Sequence, residues 1–158
     1  MCVDQVGRIL EDYAKRRVIR GFTPAPAAQG KAAFRITWRP DLVFDLILDP
    51  PTGTLQLPLL LPNVPAGSTM YRAFKAFIQE RHAETTPAHR RIDRKKARIT
   101  CRNRAGAVAL SLTVKDGDYE YGARKIIHLV QEVFLVFLTD GPYRDYVVEL
   151  FNLDPDSM

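Results

Sequence analysis

Two alternating runs meet at a tight turn between Arg98 and Val114, and that arrangement constrains the fold of this chain more than any other feature. Ile99 and Cys101 alternate with Arg98, Thr100 and Arg102; beyond Asn103-Arg104-Ala105-Gly106, Val108, Leu110, Leu112 and Val114 alternate with Ala109, Ser111 and Thr113. A period of two sends successive side chains to opposite faces of a strand, so two such runs around a short Asn/Gly turn predict a β-hairpin. A lone hairpin is marginal in water, and its apolar face needs further strands and a cover.

The upstream sequence supplies three more strands. Phe34, Ile36 and Trp38 alternate with Arg35, Thr37 and Arg39 as far as Pro40. Leu42 to Leu48 is apolar on both faces, which suits a central strand or one covered by a partner. After the turn Asp49-Pro50-Pro51-Thr52-Gly53, residues Leu55, Leu57, Leu59 and Leu61 are expected on one side of a third strand. Pro58 cannot donate to a ladder, which places that strand at an edge or turns the residue away from its neighbour.

Helical spacing covers the remainder. Val3, Val6, Ile9, Leu10, Tyr13 and Val18 predict a first helix running to Arg20 and stopped by Gly21, with a loop over Thr23 to Gly30. Ser68 is placed to cap a second helix bearing Tyr71, Phe74, Phe77 and Ile78 and ending near Glu84. Asp116-Gly117-Asp118 precedes a long helix built on Ala123, Ile126, Ile127, Val130, Val133, Phe134 and Phe137. Its second half is apolar nearly all round, so more than one element, or a second subunit, is expected to cover it. Asp140-Gly141-Pro142 separates it from a last helix over Tyr143 to Phe151.

Strands joined by short turns pair antiparallel, so the expected class is α+β, α-β-β-β-α-β-β-α with an extra C-terminal helix, the helices packed on a five-stranded, mainly antiparallel sheet. At 158 residues and 46% hydrophobic the chain suits one domain, 1–153, with a frayed tail over 154–158, and not a disordered chain. Two cysteines, Cys2 and Cys101, cannot make a disulfide framework or a four-thiolate zinc site. Charges scattered through Met1 to Arg20 speak against a leader, and the 13 residues Ile126 to Leu138 fall short of a membrane span, so a cytoplasmic location with no membrane partner is expected.

The succession α-β-β-β-α-β-β-α, over about Val3 to Leu138, resembles the secretion-chaperone-like fold shared by type III secretion chaperones and the YbjN-like family of bacterial proteins. The resemblance lies in the order and length of elements and implies a non-enzymatic, often dimeric, cytoplasmic protein that holds or regulates a protein partner. Two departures, the basic charge of this chain and the segment Pro142 to Leu153, fit a YbjN-like protein better than an effector chaperone.

Charge is the most uneven property of the sequence. Between Arg90 and Arg104 lie Arg90, Arg91, Arg94, Lys95, Lys96, Arg98, Arg102 and Arg104 against Asp93 alone, a local balance of +7 within a net charge of +5. If Arg98 and Arg102 share the exposed face of the fourth strand, and Arg35 and Arg39 extend the same face of the first, a positive patch forms for phosphates or an acidic protein segment; the plainer alternative is a solvated sheet face and a charged edge that discourages aggregation. No aromatic residue interleaves with these charges, so nucleic acid is the lesser expectation. Residues 116–156 carry the opposite sign, a balance of −6. A homodimer is expected, with Leu129, Val133, Leu135, Val136, Tyr143 and Tyr146 as interface candidates.

No catalytic, cofactor-binding or metal-ligating set is expected. His82, His89 and His128 lack the spacing of a metal site, and His128 is read as a hydrogen-bonded core or interface group. Cys101 is read as a small buried hydrophobe, and neither a phosphate-binding glycine loop nor a nucleophile elbow is present. The function expected is that of a binding protein and not an enzyme, with a nucleic-acid-binding regulatory domain as the alternative.

Overall fold

The hairpin forms in the register its alternation requires, Ala97 facing Val114 and Arg104 facing Ala107, in a computed structural model that describes residues 2–39 and 42–138. Ala105 (φ 52°) and Gly106 (φ 92°) are both left-handed, the backbone of the two-residue turn whose twist matches that of paired strands. In chain order the elements are α1 (Cys2–Lys15), β1 (Gly21–Ala25), β2 (Ala32–Arg39), β3 (Leu42–Asp49), β4 (Thr54–Leu61), α2 (Thr69–Glu80), β5 (Ala97–Arg104), β6 (Ala107–Val114) and α3 (Tyr119–Glu132), which runs into a π-helical turn, Val133–Phe137. Every strand pairing is antiparallel, in the order β1-β2-β3-β4-β6-β5. The chain is therefore α+β, as expected, but with six strands where five were expected.

The sixth strand is β1, in the segment read as a loop. Gly21 to Ala25 pairs with Thr37 to Ala33, and the Phe22 ring meets Phe34 edge-on at 5.8 Å. One large apolar residue in five gives no visible period, and Pro24 argues against a strand in general. At a sheet edge, however, the missing N–H of a proline can face solvent.

Two further boundaries differ. α1 stops at Lys15 and not at Gly21: Arg17 takes the left-handed conformation (φ 63°), and the Val18 N–H donates to Tyr13 O at 2.9 Å. This is the termination usually made by glycine. β4 is a central strand and not an edge. Pro58 is accommodated because five residues of β4, from Leu57 to Leu61, lie opposite three of β6, from Leu110 to Val108, and the β3 pairing ends at Gln56. Within that bulge the alternation is broken, so Leu60 is buried and Leu59 is 51% exposed, against expectation, while Leu61 is buried as expected.

Caps fall where the sequence put them. Ser68 Oγ accepts from Tyr71 N–H at 3.1 Å, and Asp118 Oδ1 accepts from Tyr121 N–H at 3.2 Å. The helices cover one face of the sheet. Leu46, Leu48, Leu55, Leu57, Ile99, Leu110 and Leu112 meet Val6, Leu10 and Tyr13 of α1, Phe74 and Ile78 of α2, and Ile126, Ile127 and Val130 of α3 in one apolar cluster. α3 lies close against the sheet at Gly122, where a methyl group would come within 2.5 Å of Val114 Cγ1. Part of the apolar excess of its last turns is taken up within the chain: Val133 and Phe134 are buried, and the Phe137 ring meets Phe74 edge-on at 5.6 Å and Phe77 at a tilt at 5.3 Å.

The connection from α2 to β5 is fastened by side chains. His82 Nε2 accepts the Ile99 N–H at 3.2 Å, which leaves the proton on Nδ1 to donate to Ile92 O at 2.8 Å. Arg91 donates to Glu84 O and Thr86 O at 2.7 and 2.9 Å, and the Asp93 N–H donates to the Tyr121 hydroxyl at 2.8 Å. Arg81 pairs with Glu132, both nearly buried, and lies over the Phe77 ring at 4.2 Å. Among the described residues no helix is long and apolar enough to cross a membrane. The expected last helix over 143–151 and the tail over 154–158 lie outside the described residues.

Candidate functional site

Among the described residues the second face of the sheet carries no helix, and the strand registers fix what it displays. Arg35 faces Asp45, Ile47 faces Gln56, Gln56 faces Ser111 and Ser111 faces Thr100. Counting by twos from these pairs, Arg98, Arg102 and Arg104 of β5 project from the same face as Arg35. All three are exposed, and among the described residues none has a carboxylate at ion-pairing distance. Beside them β6 offers only small side chains, Ala107, Ala109, Ser111 and Thr113, and β4 adds Gln56 and Pro58. The outcome is a shallow trough of about 350 Å³ with Arg102 and Arg104 on one wall, Gln56 and Pro58 on the other, and Ala107, Ala109 and Ser111 as its floor.

The eight basic residues of the sequence do not form one patch. Arg98, Arg102 and Arg104 line the open face, whereas Arg91 is spent on backbone carbonyls of its own loop. Arg90, Arg94 and Lys95 are exposed on the α2–β5 connection, and Lys96 lies over the Tyr121 ring at 5.1 Å, toward the helical side. Arg35 shares the face with the β5 arginines but stands four strands away, about 19 Å at ~4.8 Å per strand. It is also engaged, since Nε and Nη2 donate to Asp45 Oδ1 and Oδ2 at 3.0 and 3.4 Å. The Arg39 side chain lies outside the described residues. The sequence missed the floor and far wall of the trough; the run of small residues on the outer phase of β6 was the signal available.

Of the interface candidates, Leu129 and Val133 are buried inside the chain at 2% and 0% exposure, so neither presents a surface. Leu135 is 53% exposed. The side chain of Val136, together with Tyr143 and Tyr146, lies outside the described residues. His128, read as a core or interface group, is instead exposed on α3 with its ring 6.3 Å from that of Tyr13. Cys101 is half-buried, with its sulfur 3.9 Å from the Tyr71 hydroxyl. Burial pushes its pKa up, and burial together with Cys101 raises the Tyr71 hydroxyl to about 12. The sulfur is thus held as a thiol, the less nucleophilic form. Among the described residues no three of His, Cys, Asp and Glu gather to hold a metal ion.

No protein-family model, curated protein or solved structure matches this chain.

Proposed function

We propose that this protein is a non-enzymatic interaction protein whose open sheet face receives an extended, acidic protein segment along β5. The observation that carries the reading is the row Arg98, Arg102 and Arg104, exposed beside a floor of small side chains and without carboxylate partners among the described residues. At ~3.3 Å per residue, Arg102 and Arg104 stand about 7 Å apart and Arg98 lies about 13 Å beyond Arg102. An extended segment has the same repeat, so carboxylates at its first, third and seventh positions fall opposite the three guanidinium groups. The small side chains of β6 let its backbone approach, and arginine pairs with carboxylates through two parallel hydrogen bonds.

A nucleic-acid strand is the weaker occupant. The outward residues of β2 to β6 described above include no aromatic ring on which a base could stack, and stacking supplies much of the affinity for single strands. Leu129 and Val133, two of the six homodimer interface candidates, are buried within one chain, and the proposal is made for the face of a single chain. Its support is the arginine row and not the resemblance to secretion-chaperone-like proteins, whose succession of elements has no counterpart of β1.

The test is fluorescence anisotropy with a labelled seven-residue peptide carrying Glu at positions 1, 3 and 7, against the same composition in scrambled order. Binding that weakens about tenfold in Arg102→Gln/Arg104→Gln and falls with added salt supports the proposal. Equal affinity for the scrambled peptide or for the variant refutes it, and preferential binding of an oligonucleotide of equal charge transfers the face to nucleic acid.

A further inference from the structure

A second cluster of cations, unconnected with the arginine row, lies on the helical side of the sheet. α1 brings Tyr13 and Arg16; α3 brings Tyr121, Arg124, Lys125 and His128; the α2–β5 connection adds His89. Together they line a hollow of about 280 Å³ whose walls, among the described residues, carry no carboxylate. The helix register explains the convergence. Positions 121, 124, 125 and 128 repeat at three and four residues, a single stripe of α3, and positions 13 and 16 are the stripe of α1 that faces it.

The cations are crowded and only partly offset. Arg16 is held from behind by Asp12 at 2.8 Å and Arg124 by Glu120 at 3.5 Å, both exposed pairs one helical turn back, which contribute little. Arg16 also lies over the Tyr13 ring at 5.0 Å. Two ammonium groups share one ring, Lys96 at 5.1 Å and Lys125 at 5.6 Å from the centre of Tyr121. Among the described residues the Lys125 ammonium also reaches the His89 carbonyl, at 3.4 Å. The imidazoles and phenols around them carry hydrogen-bond donors but no fixed negative charge.

We propose that this hollow binds a phosphate dianion, free or as the terminal group of a small phosphorylated molecule. Two arginine forks and an ammonium match the several acceptor oxygens of a phosphate better than the two of a carboxylate. The hollow has several times the ~30 Å³ that a water occupies in the liquid, enough for the phosphate and a small organic remainder against the tyrosine rings. The titration of the site agrees with this reading. Desolvation and then Lys96 lower the pKa of Lys125, while Glu132 opposes them. Desolvation, Lys125, Arg16 and His89 lower that of His128, again against Glu132. A dianion among these groups reverses the like-charge part of both shifts.

The experiment follows the C2 proton of His128 by NMR through pH titrations in inorganic phosphate, in phenyl phosphate, and in sodium chloride at matched ionic strength. The proposal requires a saturable rise in the His128 midpoint with a phosphate and none with chloride. Affinity is to weaken about tenfold in Lys125→Gln and in Arg124→Gln, and to be unchanged in Arg102→Gln/Arg104→Gln, which separates this site from the sheet face. Because the Arg124 charge also acts on the Tyr13 hydroxyl, Arg16→Gln at the exposed rim serves as a second variant, with amide spectra of each variant as the control for folding. Tighter binding of phenyl phosphate assigns a phosphorylated small molecule, and tighter binding of inorganic phosphate assigns the free ion. A midpoint that moves equally in chloride, fails to saturate, or moves equally in the Lys125 and Arg16 variants overturns the proposal.

Discussion

Replacing Gly122 by alanine sets two effects of opposite sign against each other, and the structure decides between them. In an exposed helix interior alanine is better than glycine by about 1 kcal/mol. At this position the added methyl would lie 2.5 Å from Val114 Cγ1, 2.9 Å from Leu55 Cδ1 and 3.6 Å from Leu112 Cδ2. Carbon atoms prefer about 3.5–4.0 Å, so two of these contacts are short by roughly 0.6–1 Å. Neither neighbour has room to yield: Leu55 is 0% and Val114 6% exposed, and a valine is stiff at χ1. Overpacking of this kind costs about 1–3 kcal/mol, which exceeds the propensity gain across most of its range. Gly122→Ala is therefore expected to lose up to about 2 kcal/mol, a fall in melting temperature of up to roughly 8 °C for a domain of this size. Urea unfolding followed by the fluorescence of Trp38, the single tryptophan and 8% exposed, measures the loss. The double variant Gly122→Ala/Val114→Ala is expected to be more stable than the two single losses predict, because the alanine methyl occupies the space that Val114 vacates. Stabilisation by Gly122→Ala alone would refute the reasoning and place α3 farther from the sheet than described.

Two other outcomes follow from single side chains. Arg81→Met leaves Glu132 nearly buried without its partner and is expected to cost about 3–5 kcal/mol, whereas Arg81→Met/Glu132→Leu recovers most of it; thermal unfolding that ranks the double variant below the single one contradicts this. Because the pKa of His128 is lowered in the fold, by partial burial first and then by Lys125, Arg16 and His89, the folded chain takes up its proton less readily than the unfolded chain. The contribution to stability is therefore intact above the unfolded value of about 6.5 and is lost as pH falls from there through the folded value. Urea midpoints compared at pH 8 and pH 5.5 should draw closer together in His128→Asn, and an unchanged gap rules the effect out.

The sequence disclosed those features that depend on neighbours along the chain. Alternation around Asn103-Arg104-Ala105-Gly106 was enough for the hairpin, and Ser68 and Asp118 announced the starts of α2 and α3 because a cap is a contact over three residues. Features that depend on position in the sheet stayed hidden. Pro24 is tolerable only because β1 turned out to be an edge, and Pro58 only because β4 bulges where β3 has already ended. Arg17 ends α1 in a conformation that the residue type itself disfavours, so no glycine marks the place. The functional surfaces divide in the same way. Arg98 and Arg102 were legible as one face of a strand from their alternation with Ile99 and Cys101, but that Arg104 joins them, and that the other five basic residues do not, needed the strand register. The convergence of Arg16, Arg124, Lys125, His89 and His128 had no signature in the sequence, since more than a hundred positions separate Arg16 from His128.

The fastening of the α2–β5 connection has a consequence for how this protein meets a protease. Arg90, Arg91, Arg94, Lys95 and Lys96 make the segment the densest run of trypsin sites in the chain, and most of them are exposed. A protease must draw several residues of backbone into its cleft, and here the backbone is tied through Arg91 to Glu84 and Thr86, through Ile92 to Arg81 and His82, and through Asp93 to Tyr121. Cutting within the segment has to await the opening of those ties, which also releases the Ile99 end of β5. The first nick would therefore report on the loosening of the strand that carries the arginine row, and a ligand that holds β5 in place would slow it.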